Sequence, residues 1–243
     1  MCCWAVAHYQ KARRPPKRSR KAVQALTRAL SKWSSSTSLS KPPSRHFASE
    51  FRRPTAGEWV RRLLKHTVSH SRLYVTYRLD VLVNNAAISG FSEDVPYAQR
   101  MTECFATNVT GPSILSTELV PMLQQSISTA RIVNISSGAG SIGRMADGSA
   151  SAVKPKKEPH PYSVSKAAFN MMSVSQAHMY SQWGAKVFTI CPGFTQSNLS
   201  PMNVEANGAR APEISAEPII ACIRGQRDED HARFIHRDGV YAW

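Results

Sequence analysis

Glycine is nearly missing from the first third of this 243-residue chain: Gly57 is the only one before Gly90, of twelve in all. Acid is missing there too, the first Asp or Glu being Glu50. No apolar run approaches the roughly 18 residues that cross a bilayer, which excludes a transmembrane helix. The five cysteines, Cys2, Cys3, Cys104, Cys191 and Cys222, are odd in number and lack metal-type spacing, and no signal-peptide core opens the chain. A reducing, cytoplasmic setting is therefore expected. Adjacent Cys2 and Cys3 read as incidental small apolar residues rather than as an acylated membrane anchor. His66 and His70 stand at i, i+4 with no third ligand evident, so no metal is expected.

What is present suits a globular domain. Apolar residues make up 42% and charged residues 19%, enough to bury a core, and the length suits one medium domain or a domain with a long extension. The formal charge of +15 is unevenly spread. Residues 1–80 carry 18 Lys/Arg against 3 Asp/Glu, whereas residues 81–243 carry 13 of each. Two compositions meet near residue 80, and we divide the chain into a basic segment, 1–78, and a balanced region, 79–243.

In the balanced region, Leu79–Val83, Arg131–Ile135 and Lys186–Cys191 are β-branched-rich, nearly continuous apolar runs of strand length, as parallel strands buried on both faces require. The stretches Asp94–Leu123 and Tyr162–Trp183 are each long enough for one or two helices. Strands alternating with helices predict an α/β fold with a doubly wound parallel sheet. Ligands bind beyond the carboxyl ends of such strands. Those ends are Asn84-Asn85-Ala86-Ala87, Ser136-Ser137-Gly138 and Pro192-Gly193-Phe194-Thr195, each a polar or Gly/Pro cluster.

The helix after the second strand opens with Tyr162-Ser163-Val164-Ser165-Lys166, placing Tyr162 and Lys166 on one face. A phenol with a pKa of about 10 is a poor proton donor or acceptor near neutrality, and a nearby ammonium lowers that value. A tyrosine tuned in this way protonates a carbonyl oxygen while a cofactor delivers hydride to carbon. Each piece alone reads as ordinary: Ser137 as a helix-cap hydroxyl, Asn108 as a solvated helix residue, Tyr162 and Lys166 as surface positions.

The ordered set NNAA, Asn108, ISSG, YSVSK and CPG, each at a strand end or helix start, resembles the short-chain dehydrogenase/reductase family, closest to its carbonyl-reductase-like members, over about residues 79–243. The resemblance implies a Rossmann-type sheet, a nicotinamide cofactor (NADP in the carbonyl reductases, NAD being the alternative), and a tetrad on Asn108, Ser137, Tyr162 and Lys166. It implies that Ser137 orients the substrate carbonyl and that Tyr162 is the acid/base. Lys166 would lower the tyrosine pKa and hold the nicotinamide ribose, and Asn108 would support Lys166 through a water relay. Asn85 would lie along the cofactor, with Pro192, Gly193, Thr195 and Ser197 on the nicotinamide side. The implied partner is a small-molecule carbonyl or alcohol. A homo-oligomer is compatible with the family, which includes dimers, tetramers and monomers. Phe234–Trp243 looks like the closing strand of such reductases and a complete end.

Two departures stand out. Ser137 and Tyr162 are 25 residues apart, about twice the family spacing, and the excess, Gly143–Pro161, reads as a surface loop. The larger departure is the absent glycine-rich turn, which lets backbone approach the cofactor pyrophosphate. Cys2–Tyr9 suits a short strand, and Lys21–Trp33 and Trp59–Val68 suit helices, but Lys11–Arg20 stands where glycines are expected, with Pro15 and Pro16 removing two amide donors. A transit peptide and a nucleic-acid-binding arm are weaker readings of this segment. The favoured one is that about 75 residues replace the family's own N-terminus. On that reading the alternative to an enzyme is a remnant unable to bind cofactor. The segment after Pro192-Gly193 holds only Glu205 and Arg210 as charged anchors, which points to a neutral carbonyl substrate.

Overall fold

The structure, a computed structural model, describes residues 78–89, 94–149 and 158–243. The expected strand at Cys2–Tyr9, the helices at Lys21–Trp33 and Trp59–Val68, and most of segment 1–78 lie outside the described residues.

The described strands form one sheet in the order β1 (Val81–Asn84), β2 (Arg131–Ile135), β3 (Lys186–Ile190), β4 (Phe234–His236) and β5 (Gly239–Val240). The first four are parallel and in register, with Asn84 opposite Asn134, Ile135 opposite Ile190, and Ile190 opposite Ile235. β5 turns back antiparallel on β4, so the tail closes as a two-strand hairpin rather than the single strand expected. β2 matches its predicted span, and β1 and β3 differ from theirs by one or two residues at their ends.

Because parallel strands alternate their side chains between two covered faces, each run supplies two cores. Leu82, Ile132 and Val187 meet α2 (Gly111–Leu123) and α4 (Pro161–Tyr180) through Leu123, Ala177 and Tyr180. Val83, Val133, Phe188 and Ile190 meet α5 (Pro212–Ile223) through Cys222. Helices therefore cover both faces, as a doubly wound sheet requires. α1 (Tyr97–Phe105) passes into α2 through a wide π turn, Ala106–Thr110. Each of α4 and α5 starts with proline, whose missing N–H costs nothing there. The turn after α4 ends on Gly184 at φ 85°, a left-handed position that glycine adopts without strain.

The face toward α2 and α4 changes character near the carboxyl ends of the strands. Asn84 Nδ2 donates to Ser116 Oγ (2.9 Å) and to Asn134 Oδ1 (2.8 Å). Asn134 Nδ2 in turn donates to Ser173 Oγ (2.9 Å) and Gln176 Oε1 (3.0 Å). This buried chain ties both helices to the sheet just below the candidate site, so Asn84 of the NNAA cluster packs inside while Asn85 stays half-buried at the rim.

Part of the predicted loop Gly143–Pro161 is ordered differently. Ile142–Ala146 forms a short helix, α3, and Pro161 begins α4, because the Ser141 hydroxyl accepts from Arg144 N (3.1 Å) and starts a turn there. Gly140 just before it is fixed by close packing: a Cβ there would stand 2.7 Å from the Lys166 backbone. Gly140→Ala is therefore expected to cost about 3 kcal/mol in urea denaturation. Gly148→Ala, at φ 77° with nothing within 4 Å, should cost only about 1 kcal/mol. Equal costs would refute the packing explanation.

Candidate active site

β2 ends in Ser136-Ser137, and a single 3-10 turn, Gly138–Gly140, follows. Ser137 caps that turn, its Oγ accepting from Ala139 N at 3.2 Å. Its neighbours hold the loop still: Ser136 Oγ donates to Asn170 Oδ1, Asn170 Nδ2 donates to Gly140 O (3.0 Å), and Gly138 N donates to Cys191 Sγ (3.1 Å). The ends of β2, β3 and α4 are thus locked together around Ser137.

Lys166 is 2% exposed, and its Nζ donates to Ile135 O at 2.8 Å, at the carboxyl end of β2. The ammonium lies 4.8 Å from the Phe169 ring centroid and 5.8 Å from that of Tyr162. Among the described residues it has no carboxylate partner, and burial lowers its pKa to about 7. The half-buried Tyr162 phenol is pushed the other way: burial raises its pKa, while contact with the Ser137 hydroxyl lowers it. The ammonium implied as the group that lowers the tyrosine pKa donates to the strand-end carbonyl and faces the Tyr162 ring from 5.8 Å.

Asn108 sits fully buried in the π turn, where the extra backbone residue turns its side chain inward. Its Oδ1 accepts from Ile88 N and its Nδ2 donates to Ile88 O and Ser165 Oγ, each at 2.9 Å. Ser165 Oγ donates onward to Tyr162 O at 2.7 Å. Both amide hydrogens of Asn108 are taken, so its side chain clamps the β1 loop to the tyrosine helix.

The remaining predicted positions lie along the β3 exit. Pro192 is half-buried, and Gly193 adopts φ 81°. Thr195 Oγ1 donates to Ser215 Oγ (2.8 Å), and Asn203 Nδ2 donates to Thr195 O (2.8 Å), which pins the segment to α5. Ser197 is exposed, and its hydroxyl accepts from Leu199 N within its own turn. Ser137 and Lys166 adjoin Tyr162, and Asn108 reaches the same helix through Ser165; Asn85 is half-buried just beyond β1, and Ser197 is exposed. Sequence reasoning missed Asn170, Ser165 and Cys191 as supports, since one serine, asparagine or cysteine beside a motif gives no separate signal. It also missed Tyr241, whose ring lies 3.3 Å from where a Cβ on Gly138 would stand.

The family model for short chain dehydrogenase matches residues 58–208. The short-chain dehydrogenase/reductase tropE of Talaromyces stipitatus is 30% identical over 173 residues, 66% of this chain and 65% of that protein. The short-chain dehydrogenase anuI of Penicillium roqueforti is 32% identical over 161 residues, 65% of this chain and 62% of that protein. The chain thus matches somewhat under two thirds of the length of these relatives. Among solved structures, an NADPH-bound carbonyl reductase from chicken fatty liver has a TM-score of 0.58 at 23% identity, covering 94% of this chain and 84% of that one. The RhlG/NADP complex of Pseudomonas aeruginosa has a TM-score of 0.57 at 25% identity, covering 76% and 73%.

The Lys166 environment makes a test of its own. The unfolded chain holds this proton to its ordinary pKa of 10.5 and the folded chain only to about 7, so the unfolded state binds more protons between those values. Stability must then rise with pH across that window. The cofactor-free chain is expected to gain thermal stability from pH 7 to about 9, and Lys166→Met should flatten the gain. An equal rise in both proteins would refute the assignment.

Proposed function

The chain belongs to the short-chain dehydrogenase/reductase family, and on that premise we propose that it is an NADP-dependent oxidoreductase interconverting a carbonyl and an alcohol, with Tyr162 as acid/base. The observation that carries this reading is the convergence of Ser137, Tyr162 and Lys166 at the carboxyl edge of the sheet, braced by Asn108. A lysine buried to 2% exposure with only a carbonyl as partner is costly unless a ligand uses its charge. That suits a ribose hydroxyl beside Tyr162. Pro192, Gly193 and Thr195 would border the nicotinamide, with Asn85 and Ser197 at the margins of the cofactor path.

When bound, the nicotinamide supplies or accepts the hydride. The chain's own residues manage the oxygen and its proton. Ser137 Oγ donates to the substrate carbonyl and fixes its direction. The phenol of Tyr162, kept protonated by burial, is the acid that delivers its proton to the oxygen during reduction. In the reverse direction it must first lose that proton, which the Ser137 contact favours. NADP rather than NAD rests on the carbonyl-reductase resemblance.

In this reading residues 79–243 are the catalytic region, and 1–78 stand in place of the dinucleotide-loop half. The family match begins at residue 58, inside that segment. The setting is cytoplasmic and the partner is a small molecule, in a monomer or homo-oligomer. No helix among the described residues is long and apolar enough to cross a membrane. The scarcity of glycine, Gly57 alone before Gly90, keeps a second reading in view: an α/β scaffold that binds no cofactor.

An NADPH fluorescence titration of the full chain, with NADH alongside, separates the two. Saturable micromolar binding is expected. A folded chain by circular dichroism that binds neither cofactor would establish the scaffold. Tyr162→Phe should lower carbonyl reduction roughly 10²–10⁴-fold, the usual contribution of a positioned acid, without changing the circular dichroism. Unchanged turnover would overturn the mechanism.

A further inference from the structure

Ile135 and Ile190 are register partners, and Gly138 and Gly193 each lie three residues beyond them, at neighbouring strand exits. A guanidinium stands at each. Arg144 Nη1 lies 2.3 Å from where a Cβ on Gly138 would be, and Arg210 Nη1 lies 3.6 Å from the same point on Gly193. Tyr241 from the tail adjoins them: the Arg144 guanidinium is 4.4 Å from its ring centroid, and its hydroxyl feels the charges of Arg144, Arg210 and the Asp238 carboxylate.

Among the described residues, Arg100, Arg131, Arg227 and Arg237 each pair with a carboxylate, and Arg144 and Arg210 do not. Arg144 donates to Ser149 O at 3.0 Å and retains further donors. Asp147 feels the Arg144 charge, and its carboxylate also accepts from Ser149 N at 2.8 Å. Arg210 is exposed, anchored through its backbone to Phe194 and Gln196. Two apolar side chains next to these positions in the chain are exposed, Met145 after Arg144 and Phe194 after Gly193.

We propose that the carbonyl substrate carries a carboxylate, read jointly by Arg144 and Arg210 at the exits of β2 and β3. This rests on the reductase reading of the Ser137–Tyr162 site. It replaces the neutral carbonyl compound expected from sequence, which could not place Arg144 beside the strand ends. A guanidinium binds a carboxylate through paired, charge-assisted hydrogen bonds and does so more weakly as salt rises.

Calorimetric titration of the full chain with β-benzoylpropionate and with its methyl ester tests the assignment without requiring turnover. The acid is expected to bind roughly tenfold more tightly than the ester, as one charge-assisted contact allows. The preference should shrink with added salt and fall toward unity in Arg144→Gln/Arg210→Gln. If that variant fails to fold, Arg210→Gln alone decides, since its side chain is exposed. Equal affinities in the native chain would overturn the proposal, as would an undiminished preference in the variant. Loss of NADPH affinity with the acid preference intact would assign the arginines to cofactor phosphate and overturn it too. NADPH-dependent reduction of the ester with no acid preference would sink this inference and leave the reductase reading standing. Acid preference without binding of either NADPH or NADH would leave a carboxylate site at the arginines but sink the reductase reading, and with it the assignment of that site to a carbonyl substrate.

Discussion

A buried ammonium governs the design of this domain. Lys166 reaches from α4 to the last carbonyl of β2 with almost no exposure and no countercharge among the described residues. An isolated cation in such a place costs free energy unless polar groups and ring faces surround it. The Ile135 carbonyl and the rings of Phe169 and Tyr162 provide that surrounding, and for this α4 must lie against the strand end. Gly140 makes the approach possible, because any side chain there would meet the Lys166 backbone.

The polar frame follows from the same constraint. A helix pressed onto the carboxyl ends of parallel strands brings backbone and side-chain dipoles out of water, and each needs a partner. Asn134 answers Ser173 and Gln176, Asn170 bridges Ser136 and Gly140, and Asn108 joins Ile88 to Ser165. Asn134 thus ties the sheet to the tyrosine helix, and Asn170 and Asn108 hold the loops after β2 and β1 against it. The apolar halves of the strands, Ile132, Val187 and Phe188 among them, supply cohesion, and the asparagine halves supply position.

Charge is distributed to match. The balanced region pairs many of its arginines with carboxylates around its edges, as Arg131 does with Asp228 at 2.7 Å. At the site rim Arg144 and Arg210 form no ion pair among the described residues and add positive charge, with Asp147 and Asp238 nearby, although residues 81–243 have no formal net charge. Net composition says nothing of such a grouping, because it depends on which charges the fold brings together.

The strands and the site motifs were legible in the sequence because their causes are local. Parallel strands covered on both faces must be continuously apolar, so Arg131–Ile135 announces itself, and Tyr162 and Lys166 share a face at i, i+4 by helix geometry alone. The opposing pKa displacements of Tyr162 and Lys166, the inward turn of Asn108, and the return of Tyr241 over Gly138 were decided only in the tertiary structure. Each depends on burial or on contacts between segments far apart in the chain, and no spacing rule encodes the desolvation that a packed helix imposes on the charge beneath it.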